Sequence, residues 1–143
     1  MKNFKTVLIL ILITMHSALA LSSSANLGAF EAFGKKEGLT KMVDDFMVGL
    51  LAEKRMYPFF KHVDQKRTKE KLVEQFCKEL DGPCEYTGKS MYRSHKGHVI
   101  KEQHFYALVE VLQKAMSLHK VPSWAQNKLL AKLAPMHKDI INE

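Results

Sequence analysis

Glycine and proline are scarce in these 143 residues, seven and four respectively, too few for the frequent turns between short strands that a many-stranded sandwich or barrel needs. Set beside 46% hydrophobic and 26% charged residues, the same scarcity excludes collagen-like and disordered chains. No GxSxG, HExxH, phosphate-cradling glycine loop or CxxC occurs, which removes the common signatures of serine hydrolases, zinc peptidases, P-loop enzymes and thioredoxin-like proteins. Only two cysteines are present, Cys77 and Cys84, separated by a helix end and the Asp81-Gly82-Pro83 turn. A disulfide and two separate thiols, with Cys77 packed as a small apolar residue, are both compatible with that spacing.

What is present begins with the amino terminus. Lys2 and Lys5 precede the apolar run from Val7 to Ile13, and Ala18-Leu19-Ala20 offers small residues at a cleavage position, the pattern of a secretory signal peptide over residues 1–20. The apolar run is interrupted at His16 and is shorter than the ~20 residues that span a bilayer, so no stable membrane span is expected once the leader is removed. A single domain of residues 21–143 is then expected, exported to a periplasm or secreted. Loss of Lys2 and Lys5 lowers the formal charge from +7, 22 basic against 15 acidic residues, to +5, 20 against 15. The basic residues of the helical faces (Lys66, Arg67, Lys69, Lys71; Lys114, Lys120; Lys128, Lys132) have acids between them, the pattern of a solvated surface; no nucleic-acid partner is expected.

Apolar residues at 39, 42, 43, 46, 47, 50 and 51 predict a helix over 37–53 with one buried stripe. Leu72, Val73, Phe76, Cys77 and Leu80 predict a second, from the N-cap candidate Asp64 to the Gly82-Pro83 stop. Phe105, Leu108, Val109, Leu112 and Met116 predict a third over 101–118. Pro122 at a first-turn position, with Trp124, Leu129, Leu130 and Leu133, predicts a fourth over 122–141, kinked at Pro135. Short helical turns are expected at 55–60 and just before His95, and 25–33 is ambiguous. The fold class is all-α.

Histidine is the residue type that stands out chemically. His16 departs with the leader, and His62, His95, His98, His104, His119 and His137 are scattered without a tight metal-ligand pattern. His95 and His98 have i, i+3 spacing, but Gly97 between them marks a helix end and not a metal pair. One imidazole on a short helix, facing aromatic and aliphatic walls, is what a haem iron needs on its proximal side. A surface or core-edge position is the commoner fate of a single histidine.

Taken in order, the segments Phe59-Phe60, Leu80-Asp81-Gly82-Pro83, Tyr86-Thr87-Gly88, Met91, His95-Lys96-Gly97, His104-Phe105 and Leu133-Ala134-Pro135 resemble the group I truncated haemoglobins. The resemblance runs from Leu27 to Ile141 and implies a two-over-two helical sandwich around haem b, with a shortened first helix and an extended segment before the proximal helix. It makes His95 the proximal iron ligand, sets Phe60 on the haem plane, and makes Phe46, Phe76, Tyr86, Met91 and Phe105 walls of the haem cavity. On the distal side, Met47 stands where the family usually has a tyrosine. At Thr68 and Leu72, where relatives often place Gln or another polar residue, only Thr68 retains a hydroxyl. Loss of the strongest expected donor to a bound ligand implies faster oxygen release and easier autoxidation.

Two further positions follow from the same resemblance. Lys71 stands where some cyanobacterial and green-algal relatives supply a sixth, distal ligand; the alternative is a solvent-facing lysine paired with a haem propionate or water. His137 resembles the last-helix histidine that in some of those relatives attaches covalently to a haem vinyl group, the alternative being an exposed histidine near a helix end. The family's glycine pairs are each reduced to one, at Gly34-Lys35, Asp81-Gly82 and Gly97-His98, which implies stiffer or shifted loops. The leading expectation is an exported globin binding O2 or another small ligand (NO, CO or peroxide), with an unidentified reductase and weak nitric oxide dioxygenase or peroxidase activity as the enzymatic alternative. A six-coordinate electron-transfer or haem-carrying globin using Lys71 is a second reading. A helical exported domain without haem, whose aromatic set is only core, is the third.

Overall fold

The computed structural model describes residues 28–141; the expected leader, residues 1–20, lies outside them. Eight α-helices are found among the described residues: α1 (Ala29–Ala32), α2 (Lys35–Ala52), α3 (Tyr57–Phe60), α4 (Gln65–Glu79), α5 (Met91–His95), α6 (Glu102–Leu118), α7 (Ser123–Leu133) and α8 (His137–Ile140). A 3-10 turn, Ala134–Met136, joins the last two.

The stripe read from the sequence of α2 is the centre of the core: Leu39, Met42, Val43, Phe46, Met47 and Leu50 are all buried, whereas Val48 on the opposite face is 65% exposed. Each large apolar side chain so buried contributes about 1.5–3 kcal/mol. Helix α2 lies against α4 and α6, and α4 also meets α7. Val73, Phe76 and Cys77 of α4, Ala107, Val111, Leu112, Ala115 and Met116 of α6, and Ala125 and Leu129 of α7 fill the same core. This is the expected two-over-two arrangement, with α1 reduced to a single turn that buries Ala29 and Phe30. Among the described residues, no helix is long and apolar enough to cross a membrane.

The ends of α4 show how the sequence sets the frame of the site. Asp64 caps the helix by accepting the Arg67 N–H at 3.0 Å, satisfying a donor that the first turn leaves unpaired. At the other end Gly82 donates its N–H to the Cys77 carbonyl at 2.8 Å, and a Cβ at this position would lie 2.7 Å from Cys77 Sγ and from a Phe30 ring carbon. Only glycine permits so close an approach. Cys77 and Cys84 are joined as a disulfide with Cα atoms 5.8 Å apart, which decides between the two alternatives that spacing left open. Closing this short ring stabilises the fold by about 2.5 kcal/mol through loss of unfolded-chain entropy.

Two residues expected to stand in place of glycine have a left-handed backbone: Lys35 has φ 58° and Asp81 φ 61°. A side chain in that region costs about 1–2 kcal/mol, so these loops bear strain. The predicted fourth helix departs from expectation. Pro122 precedes α7 in an extended conformation instead of sitting in its first turn. At Pro135 the chain does not merely kink, because a proline lacks the N–H for the α-helical bond and its ring meets the preceding turn; the helix stops at Leu133 and resumes only as α8.

Candidate functional site

Helix α5 opens on Ser90, whose Oγ accepts the Arg93 N–H at 3.3 Å, and ends at His95; Gly97, at φ 90°, then turns the chain away. The half-buried His95 ring places Nδ1 2.7 Å from the Met91 carbonyl oxygen. A carbonyl only accepts, so Nδ1 carries the proton and the ring's lone pair belongs to Nε2, the arrangement a metal-ligating imidazole requires. Among the described residues, no three His, Cys, Asp or Glu side chains gather to hold an ion.

Helix α5 packs on α8. There His137 meets Phe105 of α6 edge-on, ring centroids 4.7 Å apart, with its Nε2 3.8 Å from Glu102 Oε1. Met91, His95, Phe105 and His137 therefore belong to three adjoining elements. A second group lies on α2 and α4. The Phe46 and Phe76 rings are 6.4 Å apart, Met47 is buried, and Leu72 packs on the core while only partly covered. The Thr68 hydroxyl donates to the Asp64 carbonyl at 2.8 Å, so its proton is committed inside the first turn of α4. Met47, Thr68 and Leu72 together thus offer a ligand no hydrogen-bond donor.

Phe59, Phe60, Leu72, Leu108 and Leu133 are packed against the core yet only partly buried. Large apolar side chains held in that way are the wall a planar apolar cofactor would cover, and with His95 they fit haem.

The sequence reading missed Gln75. It is the only buried polar side chain among the described residues, 8% exposed, and its Nε2 lies 3.3 Å from Met136 Sδ and 3.8 Å from Met91 Sδ. Thioethers are weak acceptors. The amide links α4 to the helix that carries His95 and to the turn before α8. Its register, three residues after Leu72 and next to Phe76 within an apolar stripe, was the available signal.

Lys71 and Tyr86 form a separate group with the segment 81–90. The Lys71 ammonium is 2.7 Å from Glu74 Oε1 and donates to Thr87 Oγ1 at 2.6 Å; the Thr87 N–H and hydroxyl donate to Glu74 Oε2 at 3.0 and 2.9 Å. Tyr86 donates its hydroxyl to the Lys89 carbonyl at 2.7 Å, and burial, with the Glu74 charge second, pushes its phenol up. The Lys71 ammonium, followed by the Thr87 N–H, holds the Glu74 carboxyl down at about 2, below its ordinary 4.5. A depressed carboxyl contributes stability that is complete above the unfolded value and lost as pH falls through the folded one. Glu74→Gln should therefore flatten the acid limb of the stability curve between about pH 4.5 and about pH 2, followed by thermal unfolding against pH.

Residues 28–142 match the family model of the bacterial-like globins. The chain is 33% identical over 111 residues to the Group 1 truncated hemoglobin GlbN of Mycolicibacterium paratuberculosis, which covers 78% of this chain and 82% of that protein. It is 26% identical over 114 residues to the Group 1 truncated hemoglobin of Tetrahymena pyriformis, 80% of this chain and 94% of that one. The crystal structure of the truncated hemoglobin from Tetrahymena pyriformis in its Fe(III) form superposes with a TM-score of 0.76 at 26% identity, over 80% of this chain and 98% of the other.

Proposed function

The chain belongs to the bacterial-like globin family, and from that membership we propose that it is a group I truncated globin that binds haem b through His95 and takes O2 or another small diatomic ligand. The observation that carries the proposal is the 2.7 Å hydrogen bond from His95 Nδ1 to the Met91 carbonyl, which leaves the ligating lone pair on Nε2 at the end of a short helix. Haem, when bound, supplies an iron with an open position for a small ligand. The remaining tasks fall to the chain. The Met91 carbonyl orients the imidazole and raises its basicity. Phe46, Phe60, Phe76 and Phe105 exclude water, and Met47 and Leu72 make the ligand's surroundings apolar.

With the Thr68 proton spent on Asp64, no donor from these positions holds a bound ligand. That favours reversible gas binding over nitric oxide dioxygenation, which needs a firmly held oxygen. Iron ligation by Lys71 would require its amine to leave both Glu74 and Thr87 and to lose its proton, so we assign Lys71 to the loop network. The contact between His137 and Phe105 supports a place for His137 beside the cofactor, and extraction into acidified butanone tells a covalent link from a dissociable one. Export to a periplasm or to the exterior accords with the Cys77–Cys84 disulfide, a bond that persists in oxidising compartments.

The test is an absorption spectrum of the purified protein, ferric and ferrous, with and without carbon monoxide. A Soret band that shifts rapidly on exposure of the reduced protein to carbon monoxide is expected. A chain that shows no Soret band after incubation with equimolar haemin overturns the proposal.

A further inference from the structure

The surface flanking His95 carries charge of one sign. From Tyr86 to Lys101 the chain has Lys89, Arg93, Lys96 and Lys101 and no Asp or Glu, a run that the overall interleaving of acids and bases conceals. Elsewhere on the described surface some cations are paired, Lys41 with Glu37, Arg55 with Glu53 and Glu110, Lys69 with Asp44, Lys71 with Glu74 and Lys128 with Asp81, and others such as Lys36, Lys54 and Lys66 are not, but acids lie between them along the chain. Lys89, Arg93, Lys96 and Lys138 form no ion pair with any described residue.

Between α5 and α8 lies an open groove of about 420 Å³ whose lining includes Tyr92, Lys96, Val99, Lys138 and Ile141, with Asp139 as the one acid among its described lining residues. Tyr92 is 60% and Val99 68% exposed, large apolar groups at the surface inside a rim of unmatched cations. An apolar centre with a charged rim is the anatomy of a protein interface.

We propose that this groove docks an acidic electron-donor protein, a reading that rests on haem at His95. Tyr92 and Lys96 bracket His95 along the chain, so a partner seated here lies beside the imidazole proposed to hold the iron. The donor gives up one electron and is oxidised, ferric iron becomes ferrous, and no bond forms or breaks. The hollow shape favours a contoured protein surface over a flat sheet of lipid phosphates.

The haem-loaded protein is titrated with oxidised plant-type [2Fe–2S] ferredoxin, used as an acidic probe, and its reduction by the reduced ferredoxin is followed at the Soret band. Binding and the second-order reduction rate should each fall about tenfold between about 10 mM and about 300 mM salt. Lys96→Glu with Lys138→Glu should lower both by about a further tenfold at low salt, while reduction by dithionite and carbon monoxide binding stay unchanged. Lys36→Glu with Lys54→Glu, the same change in net charge, should cost less than about twofold. Equal losses in the two double variants overturn the proposal. So does a first variant that loses binding to phosphatidylglycerol vesicles but not to ferredoxin, which assigns the groove to a membrane surface. Ferredoxin binding can also be titrated on protein incubated with haemin that shows no Soret band, and intact binding there defeats the haem reading alone.

Discussion

Exchange of His95 for alanine is expected to leave a folded helical protein that no longer retains haem. His95 is half-buried at the last position of α5 and lies outside the buried core cluster, so its truncation opens no large internal cavity and far-ultraviolet circular dichroism should be unchanged. Loss of a group that merely orients a metal ligand weakens binding about 10–100-fold, and loss of the ligand itself should exceed about a hundredfold. The measurement is Soret absorbance per chain after gel filtration, repeated with added imidazole, which should restore the band by occupying the place of the deleted ring. Wild-type haem retention in the variant would remove His95 from the role.

Met47→Tyr carries the second large effect. Met47 is 2% exposed on α2, one residue beyond Phe46, and a phenol there returns a donor to a region where the Thr68 proton is already committed. A hydrogen bond to a polarised acceptor contributes about 1.5–3 kcal/mol, which slows oxygen release from the ferrous protein by roughly ten- to a hundredfold. Stopped-flow mixing of the oxygenated protein with carbon monoxide reads the rate directly. The larger ring overfills a packed site and should lower thermal stability by about 1–3 kcal/mol, a separate readout that leaves the kinetic result interpretable. Slow release already present in the unsubstituted protein would mean that another donor acts, and Gln75 is the buried amide to replace with leucine.

The elements that sequence made legible are those that depend on local periodicity and on special backbone. The stripe from Leu39 to Leu50, the Asp64 cap and the stop at Gly82 all appear where residue type and spacing put them. His95 at the end of a short helix was legible in the same way. The partners of side chains were not. Nothing in the neighbourhood of Lys71 announces Thr87, sixteen positions on, and nothing at Thr68 says whether its hydroxyl turns to a ligand or back to Asp64. The disulfide depended on a Cα separation that only the folded turn supplies. Gln75 escaped because an isolated amide within an apolar stripe acquires meaning only when two sulfurs from other elements converge on it.

The segment from Asp81 to Ser90 is fastened to α4 twice, covalently from Cys84 to Cys77 and by the Thr87 bonds to Glu74, one helical turn earlier. A stretch without helix or strand would ordinarily be among the first parts of a domain to open on its own. Here it shares its opening with the helix, and slow amide exchange should extend from α4 into a stretch that has no ladder or helical turn of its own to protect it.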